Sequence, residues 1–142
     1  MVDLDAEFER ACGEPHEGAA FDALSRRDKI LIAIWGLEAE VNNGGFDQYY
    51  FNGAGDLAFF APQALEQIGA RNMAAIVREA NERFGVNGPA RDRETRQEQL
   101  TRLTASNEDL FDSLDRRFQD YPDDISAVLT VFLDGADDRE ST

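Results

Sequence analysis

The sequence predicts an all-α protein that folds as a single compact domain of about six to eight helices joined by short loops. Three observations support this fold class. Apolar residues recur at steps of three and four in several segments, no segment alternates polar and apolar residues over the length of a strand, and short clusters of Gly, Pro and Asn separate the apolar segments. At 142 residues with 42% apolar content, the chain can build one core without disulfides, so we treat residues 1–142 as one domain.

The chain is organised around a helix predicted over residues 26–41. Ser25 precedes it, and Asp28 three positions later completes a variant capping box. The apolar stripe of this helix consists of Ile30, Ile34, Leu37 and Val41. The Asn-Asn-Gly-Gly turn at 42–45 ends the helix before one or two aromatic helical turns at 46–51, which Asn52 and Gly53 end. We expect one of the two glycines to have a positive φ, because the chain must reverse between two apolar helices.

Other helices are predicted from their end signals. A short amphipathic helix is expected over Asp3–Cys12. Asp56 is expected to cap a further turn. Pro62 suits the first turn of a helix that ends before Gly69. Asn72 is expected to cap the helix that follows.

The last third of the chain predicts three further helices. The polar segment 91–104 is expected to be a solvent-facing helix. Ser106 or Asn107 is expected to cap the next helix, and a strongly apolar last helix is expected to end at Gly135. Residues 136–142 are then expected to form a frayed acidic tail.

Net charge is the most unusual property of the sequence. There are 29 Asp and Glu against 14 Lys and Arg, a net charge of −15. Residues 1–60 and 106–142 each carry −8 and form a first and a last acidic block, and the middle segment 61–105 carries +1. For the acidic residues to form one binding surface, the two blocks must come together in the fold. Such a surface repels nucleic acid and anionic membranes and attracts basic partners. The competing explanation is that the charge serves only solubility.

Composition also argues against several classes of site. The single Cys12 cannot form an intrachain disulfide, and the single His16 leaves too few ligands for a zinc site of several Cys or His. No phosphate-binding Gly-x-x-x-x-Gly-Lys pattern occurs. We therefore expect no metal, no cofactor and no catalysis. The first residues do not resemble a signal peptide and no stretch approaches 18 apolar residues, so a cytoplasmic protein is expected.

One row of acidic residues could imitate the charge of DNA. Asp109, Asp112 and Asp115 recur every three residues, which spaces carboxylates by about 4.5 Å along a helix axis, comparable to phosphates along a strand. A solvated helix face is the alternative. The acidic residues expected to bind a partner are Asp22, Asp28, Asp109, Asp112, Asp115, Asp123 and Asp124.

A second candidate site lies beside the glycine turn. Glu38 and Glu40 are close in sequence to Asn43 and Gln48, and paired carboxylates near a pocket can perform acid–base chemistry. The structural alternative is that Glu38 accepts hydrogen bonds from the free N–H groups that open the next helix.

The segment 40–52, Glu-Val-Asn-Asn-Gly-Gly-Phe-Asp-Gln-Tyr-Tyr-Phe-Asn, follows the helix that contains Trp35 and precedes Pro62–Ala70. These motifs resemble a bacterial family of small acidic helical proteins, most strongly over 31–85 and more weakly to 132. The best-understood member mimics double-stranded DNA and occupies the DNA-binding surface of a helix-turn-helix transcription factor. The motif residues, expected to be structural, are Trp35, Glu38, Glu40, Asn43, Gly44, Gly45, Phe46, Gln48 and Asn52.

The first hypothesis is therefore a non-enzymatic acidic protein that mimics duplex DNA. It would bind a basic DNA-binding protein, such as a helix-turn-helix transcription factor, and compete with DNA. Direct nucleic-acid and membrane binding are not expected, and a homodimer is left open. The alternatives are an enzyme or small-ligand-binding protein with a site at Glu38, Glu40, Asn43 and Gln48, or an interaction module of a toxin-immunity or regulatory system.

Overall fold

The computed structural model of the protein describes residues 3, 6 and 19–140. Within this part of the chain every regular element is helical and no strand occurs, which confirms the predicted all-α class and a single compact domain. The elements are α1 (Ala19–Asp22), α2 (Arg26–Phe51), a 3-10 helix (Gly53–Leu57), α3 (Ala61–Gln67), α4 (Arg71–Glu82), α5 (Arg93–Ser106), α6 (Asp112–Gln119) and α7 (Ile125–Glu140). The helix expected over Asp3–Cys12 falls largely outside the described residues.

Helix α2 is the centre of the fold and contacts the 3-10 helix, α3, α5, α6 and α7. It begins as predicted, because Ser25 Oγ accepts the N–H of Asp28 at 3.1 Å. All four residues of its predicted stripe are 0% exposed. A kink at Gly44 and Gly45 divides it into a first arm (residues 26–43) and a second arm (46–51). Gly45 has φ 77°, so the predicted positive φ is confirmed.

Three of the four aromatic residues after the kink build the core, and the fourth, Phe51, is exposed. Phe46, Tyr49 and Tyr50 of the second arm are all 0% exposed. The Phe46 ring lies 6.1 Å from the ring of Phe111 and 5.8 Å from that of Phe118, measured between centroids. These contacts attach the second arm to α6, because aromatic pairs at such distances add to the energy of burial.

Three predicted caps are wrong. Asp56 lies inside the 3-10 helix and does not precede it. Asn72 lies inside α4, whose N-cap position is occupied by Ala70 without a side-chain bond. Asn107 ends α5, its N–H donating to Leu103 O at 3.1 Å, and so it does not begin α6. Short polar residues form both caps and turns, so the sequence alone did not decide between these roles.

Helix α5 forms as expected, but it is not simply solvent-facing. Arg96 is 0% exposed and Leu100 only 6%. The Arg96 guanidinium donates to Tyr50 O at 2.6 Å and to Asn52 O at 2.9 Å. It also contacts Asp56 Oδ1 at 2.9 Å. A buried guanidinium thus satisfies carbonyl groups at the end of α2, which a helix end requires when it is removed from water.

The last helix is longer than predicted. Gly69 and Gly85 follow helices and have positive φ, but Gly135 does not, and α7 continues through it to Glu140. A glycine inside a helix costs only about 1 kcal/mol, and no proline follows it. Backbone residues 136–140, expected to be a frayed tail, therefore belong to α7.

Candidate functional site

The kink of α2 needs a hydrogen-bond acceptor from another helix. Phe46 opens the second arm, and its N–H donates to Asp115 Oδ1 of α6 at 2.8 Å. The prediction that Glu38 would satisfy these groups is therefore wrong. A Cβ on Gly45 would lie 2.6 Å from Asp115 Oδ2, so this glycine is required both for its φ and for the close approach of α6.

Three carboxylates meet at this junction, and we call Asp47, Asp112 and Asp115 the kink cluster. Burial raises the pKa of Asp115, and the charges of Asp47 and Asp112 raise it further, while the bond from Phe46 lowers it. Burial and then the charge of Asp112 raise the pKa of Asp47. Like charges are thus held close together. An acidic residue of the first block lies here beside two acidic residues of the last block.

A second contact between the two acidic blocks lies farther along the first arm. Tyr121 OH donates to Glu38 Oε2 at 2.7 Å and accepts from Asn42 Nδ2 at 2.7 Å. Burial raises the pKa of Glu38; the Tyr121 bond lowers it and the nearby charge of Asp124 raises it. Burial and the bond to Glu38 contribute to raising the pKa of Tyr121 to about 12. Tyr121 has φ 49°, a backbone strain that this hydrogen-bond network helps to hold.

The structure therefore brings the two acidic blocks together, but through Asp47 and Glu38. The first-block residues named from sequence, Asp22 and Asp28, lie elsewhere: Asp22 is exposed at the end of α1, and Asp28 lies in the first turn of α2. The Asp28 carboxylate is 3.6 Å from Arg27 Nη1. About 22 Å of helix axis separate Asp28 from the residue before the kink, so it is far from the kink cluster.

The predicted row of three carboxylates on one helix is wrong. Asp109 lies in the turn before α6, where its N–H donates to Asn107 Oδ1 at 3.2 Å, and only Asp112 and Asp115 belong to the helix. Asp109 and Asp112 are both exposed. Among the described residues, no hydrogen bond or ion pair engages either carboxylate, so both are available to a partner. Arg116 is the neighbouring base: it lines a recess of about 390 Å³ together with Asp112 and Asp115.

Asp123 and Asp124 serve as helix caps. Asp123 Oδ2 accepts the Met73 N–H at 2.8 Å, and its Oδ1 accepts from Asn72 Nδ2 at 3.1 Å. Asp123 thus caps α4 from the loop before α7. Asp124 Oδ1 accepts the Ala127 N–H at 3.1 Å and caps α7. Both carboxylates stabilise helix starts, so their substitution would affect folding as well as any binding.

The alternative polar site does not assemble. Glu38 is bonded to Tyr121, whereas Glu40 accepts from Asn52 Nδ2 at 2.8 Å. Asn43 Nδ2 donates to Gln48 Oε1 at 3.3 Å. Trp35, half-buried, packs against the core. The two carboxylates therefore serve separate structural bonds and do not face a shared pocket.

A groove does lie beside the turn, between the second arm of α2 and α5, and we call it the α2–α5 groove. Its volume is about 570 Å³. Its lining residues are Gly44, Asp47, Gln48, Phe51, Asn52, Leu100, Thr101 and Thr104. Of the four residues in the alternative site, only Gln48 lines it.

Sequence reasoning missed Asp47 and Arg96. Asp47 lies among aromatic residues of the motif, and nothing in its spacing relates it to α6. Arg96 had a recognisable pattern, because Arg96, Leu100 and Leu103 follow steps of four and three, which is the spacing of one helix face. That pattern predicts a buried stripe on α5 if an arginine is allowed to occupy one of the buried positions.

Two further findings concern only the described part of the chain. No group of three or more His, Cys, Asp or Glu there could hold a metal ion. None of its helices combines the length and the apolar composition that crossing a membrane would require.

Comparison with known proteins gives one match. No curated protein matches the chain. No solved structure matches it either. The profile of a family described as DMP19-like protein matches residues 22–135, which is most of the chain and includes α2 with its kink, the kink cluster and the α2–α5 groove. The chain therefore belongs to the DMP19-like protein family.

Proposed function

We propose that this protein is a non-enzymatic mimic of double-stranded DNA that binds a basic DNA-binding protein, a transcription regulator, and competes with DNA for it. The family name, DNA mimic protein 19, supports mimicry. The observation that carries the proposal is the kink cluster, in which Asp47 of the first acidic block lies beside Asp112 and Asp115 of the last, with the Asp47 and Asp112 carboxylates exposed and unengaged among the described residues. We call Asp47, Asp109, Asp112, Asp115 and Asp124 the acidic surface.

Rigidity supports this role. A carboxylate on a disordered segment loses binding energy when the segment becomes ordered. Here Asp112 and Asp115 lie on α6, and the bond from Asp115 to Phe46 fixes α6 against the helix that carries Asp47. The spacing of these charges is therefore set before a partner arrives, as the spacing of phosphates is set in duplex DNA.

The exposed carboxylates of this surface also make no ion pair within the described residues, and Arg116 is the one base that lines the recess beside Asp112 and Asp115. Among the described residues no ion pair engages Asp47, Asp109 or Asp112, and Arg117 pairs instead with Glu79 of α4. Because these carboxylates lie close together and make no ion pairs, they raise the local negative potential. This potential attracts a basic surface and increases the association rate at low salt.

A competition experiment tests the proposal. The protein is immobilised, exposed to lysate of its own source cells, and eluted with duplex DNA of increasing concentration. We expect a basic DNA-binding protein to be retained and then released by DNA. The purified partner should also lose its labelled DNA when this protein is added. A retained partner that duplex DNA cannot displace would contradict mimicry.

Two matched variants locate the binding surface. The surface variant carries Asp47→Asn, Asp109→Asn and Asp112→Asn. The control carries Glu82→Gln, Glu94→Gln and Glu98→Gln, three exposed residues of the middle segment. Both change the net charge by the same three units. We expect the surface variant to bind the captured partner at least about tenfold more weakly, roughly 1.4 kcal/mol, and the control to bind normally.

Salt dependence provides a second measurement on the same variants. The Debye length falls from about 10 Å at 0.1 M salt to about 3 Å at 1 M, so binding by the intact surface should weaken steeply. The surface variant should show a flatter dependence. Equal losses in both variants would mean that only total charge matters, and an affinity insensitive to salt and to both variants would mean that the acidity serves solubility.

A further inference from the structure

The α2–α5 groove is held open by contacts between its two helices. Gln97 Nε2 donates to Phe51 O at 2.7 Å, and Arg93 Nε donates to the same oxygen at 3.2 Å. These bonds fix α5 against the end of α2. A volume of about 570 Å³ is within the range of roughly 300–1,000 Å³ typical of ligand-binding clefts. The groove is therefore formed before any guest enters it.

The lining of the groove combines one negative charge with apolar surface. Asp47 is the single charged residue among its described lining, and Asp112 lies beside Asp47. Phe51 is 51% exposed, although it is a large aromatic residue, and Leu100 lies close to it at the groove wall. No described hydrogen bond or ion pair occupies the Asp47 carboxylate.

Two other polar side chains of the groove, Thr101 and Thr104, present hydrogen-bond acceptors. Thr101 Oγ1 already donates to Gln97 O, and Thr104 Oγ1 donates to Leu100 O, both at 2.9 Å. Each hydroxyl has thereby used its only proton and retains oxygen lone pairs. A ligand group that carries positive charge and only donates hydrogen bonds would pair with the Asp47 carboxylate and these two hydroxyl oxygens. Arginine has five N–H donors, no acceptor and an apolar stem.

We infer that the α2–α5 groove receives an arginine side chain of the DNA-binding partner, with its guanidinium paired with Asp47 and stacked on the ring of Phe51. This inference rests on the proposed function for the source of the arginine. Arg93 Nη2 lies 3.4 Å from Asn52 Oδ1 at the opposite end of the groove. Its charge repels a second cation there and directs the incoming guanidinium towards Asp47.

The same pairing already occurs elsewhere in the molecule. Arg91 places its guanidinium carbon 3.8 Å from the ring centroid of Phe59, which is 45% exposed. Contacts of this kind stabilise by cation–π attraction and by stacking of the planar guanidinium. Phe51 has similar exposure and, in contrast to Phe59, has no described cation over its ring. It offers an unoccupied site of the same kind.

A small arginine analogue tests the groove without any partner. The uniformly ¹⁵N-labelled full chain is titrated with N-acetyl-arginine amide and, separately, with the neutral isostere N-acetyl-citrulline amide. We expect saturable amide shifts at Gly44, Asp47, Gln48 and Thr101 with the arginine compound alone. Asp47→Asn should weaken this binding at least tenfold, whereas Glu94→Gln, which removes one charge outside the groove lining, should not. Absent shifts, equal shifts with citrulline, or tighter binding of putrescine would overturn the inference.

A second experiment blocks the groove without changing charge. Thr101→Phe fills the space between Phe51 and Leu100, and Ala75→Phe adds the same bulk at an exposed site on α4. We expect Thr101→Phe to weaken binding of the DNA-displaceable partner at least tenfold while flattening its salt dependence less than the surface variant does, and Ala75→Phe to have no effect. Circular dichroism melting verifies that both variants fold.

The outcomes separate this inference from the proposed function. Normal partner binding by folded Thr101→Phe would overturn the groove while mimicry by the acidic surface stands. A partner that duplex DNA fails to displace would overturn the proposed function, even if the arginine compound binds the groove.

Discussion

At the scale of single residues, Gly45 and Arg96 each satisfy a requirement that no other residue type meets. Gly45 combines φ 77° with a close approach of the Asp115 carboxylate to the place of a Cβ. Arg96 spreads its donors over carbonyl groups at the end of α2 and before α5, including Ala90 O at 3.1 Å. Both residues stabilise the ends of helical segments, and both effects can be measured by substitution.

Gly45→Val should lower the free energy of unfolding by roughly 1–3 kcal/mol, because the φ is strained for any residue with a Cβ and the branched side chain meets Asp115. Gly53→Val is the control, since nothing lies within 4 Å of a Cβ there and its φ is ordinary. Urea denaturation of the two variants measures the difference. Equal losses would show that the kink does not depend on glycine.

Arg96→Met should cost at least about 2 kcal/mol, because the aliphatic side chain fills much of the space but leaves buried carbonyl groups without donors. Arg102→Met on the same helix is exposed and should change stability by less than about 0.5 kcal/mol. Thermal and chemical denaturation compare them. If Arg96→Met were as stable as the control, water would have to supply the hydrogen bonds that the guanidinium donates to the buried carbonyl groups, and the prediction would be wrong.

At the scale of elements, the free N–H groups that begin two helical segments are capped by carboxylates from distant parts of the chain. Asp115 of α6 caps the second arm of α2, and Asp123 caps α4 from the loop before α7. Asp92 is a local cap, accepting from Thr95 N–H at 2.9 Å before α5. Because Asp115 and Asp123 cap helices from remote positions, substituting either residue would lower the stability of the fold as well as any partner affinity. A loss of binding in such a variant could not be assigned to the lost charge. For this reason the binding variants exclude them.

The junction of α2 and α6 predicts an unusual response to pH. The pKa values of Asp47, Asp115 and Glu38 are raised in the folded protein, so between the unfolded and folded values the folded state binds more protons. The contribution of these three groups to the unfolding free energy then rises as pH falls from neutral through their raised, folded-state pKa values. Asp92 has the opposite shift, and its contribution is lost only at lower pH.

Urea denaturation at pH 7 and pH 5 measures this effect. We expect the wild-type protein to be more stable at pH 5. Asp47→Asn should reduce the gain, because it removes one titrating group and the repulsion on Asp115, whereas Glu94→Gln should preserve it. A wild-type stability that falls between pH 7 and pH 5 would contradict the raised pKa values.

At the scale of the whole molecule, local patterns predicted the helices but not how they meet. The stripe on α2, the glycine kink and Pro62 in the first turn of α3 depend on neighbouring residues, and the sequence contains them. The bonds from Asp115 to Phe46 and from Asp123 to Met73 join residues 69 and 50 positions apart. No periodicity encodes such pairs, and so the members of the acidic surface changed even though the meeting of the two acidic blocks was expected.

The acidic surface should also lower the stability of the whole protein. Like charges held together repel in the folded state, and a binding site is often less stable than its fold allows. The surface variant with Asp47→Asn, Asp109→Asn and Asp112→Asn should therefore be more stable than wild type at pH 7, with a free energy of unfolding higher by roughly 0.5–2 kcal/mol. The same variant should bind its partner more weakly. The three-Gln control should gain less, because it leaves the kink cluster unchanged. Adding 1 M salt should reduce the difference between variant and wild type, since screening removes the repulsion. A surface variant less stable than wild type would show that these carboxylates hold the fold, and its weaker binding could then not be attributed to lost charge.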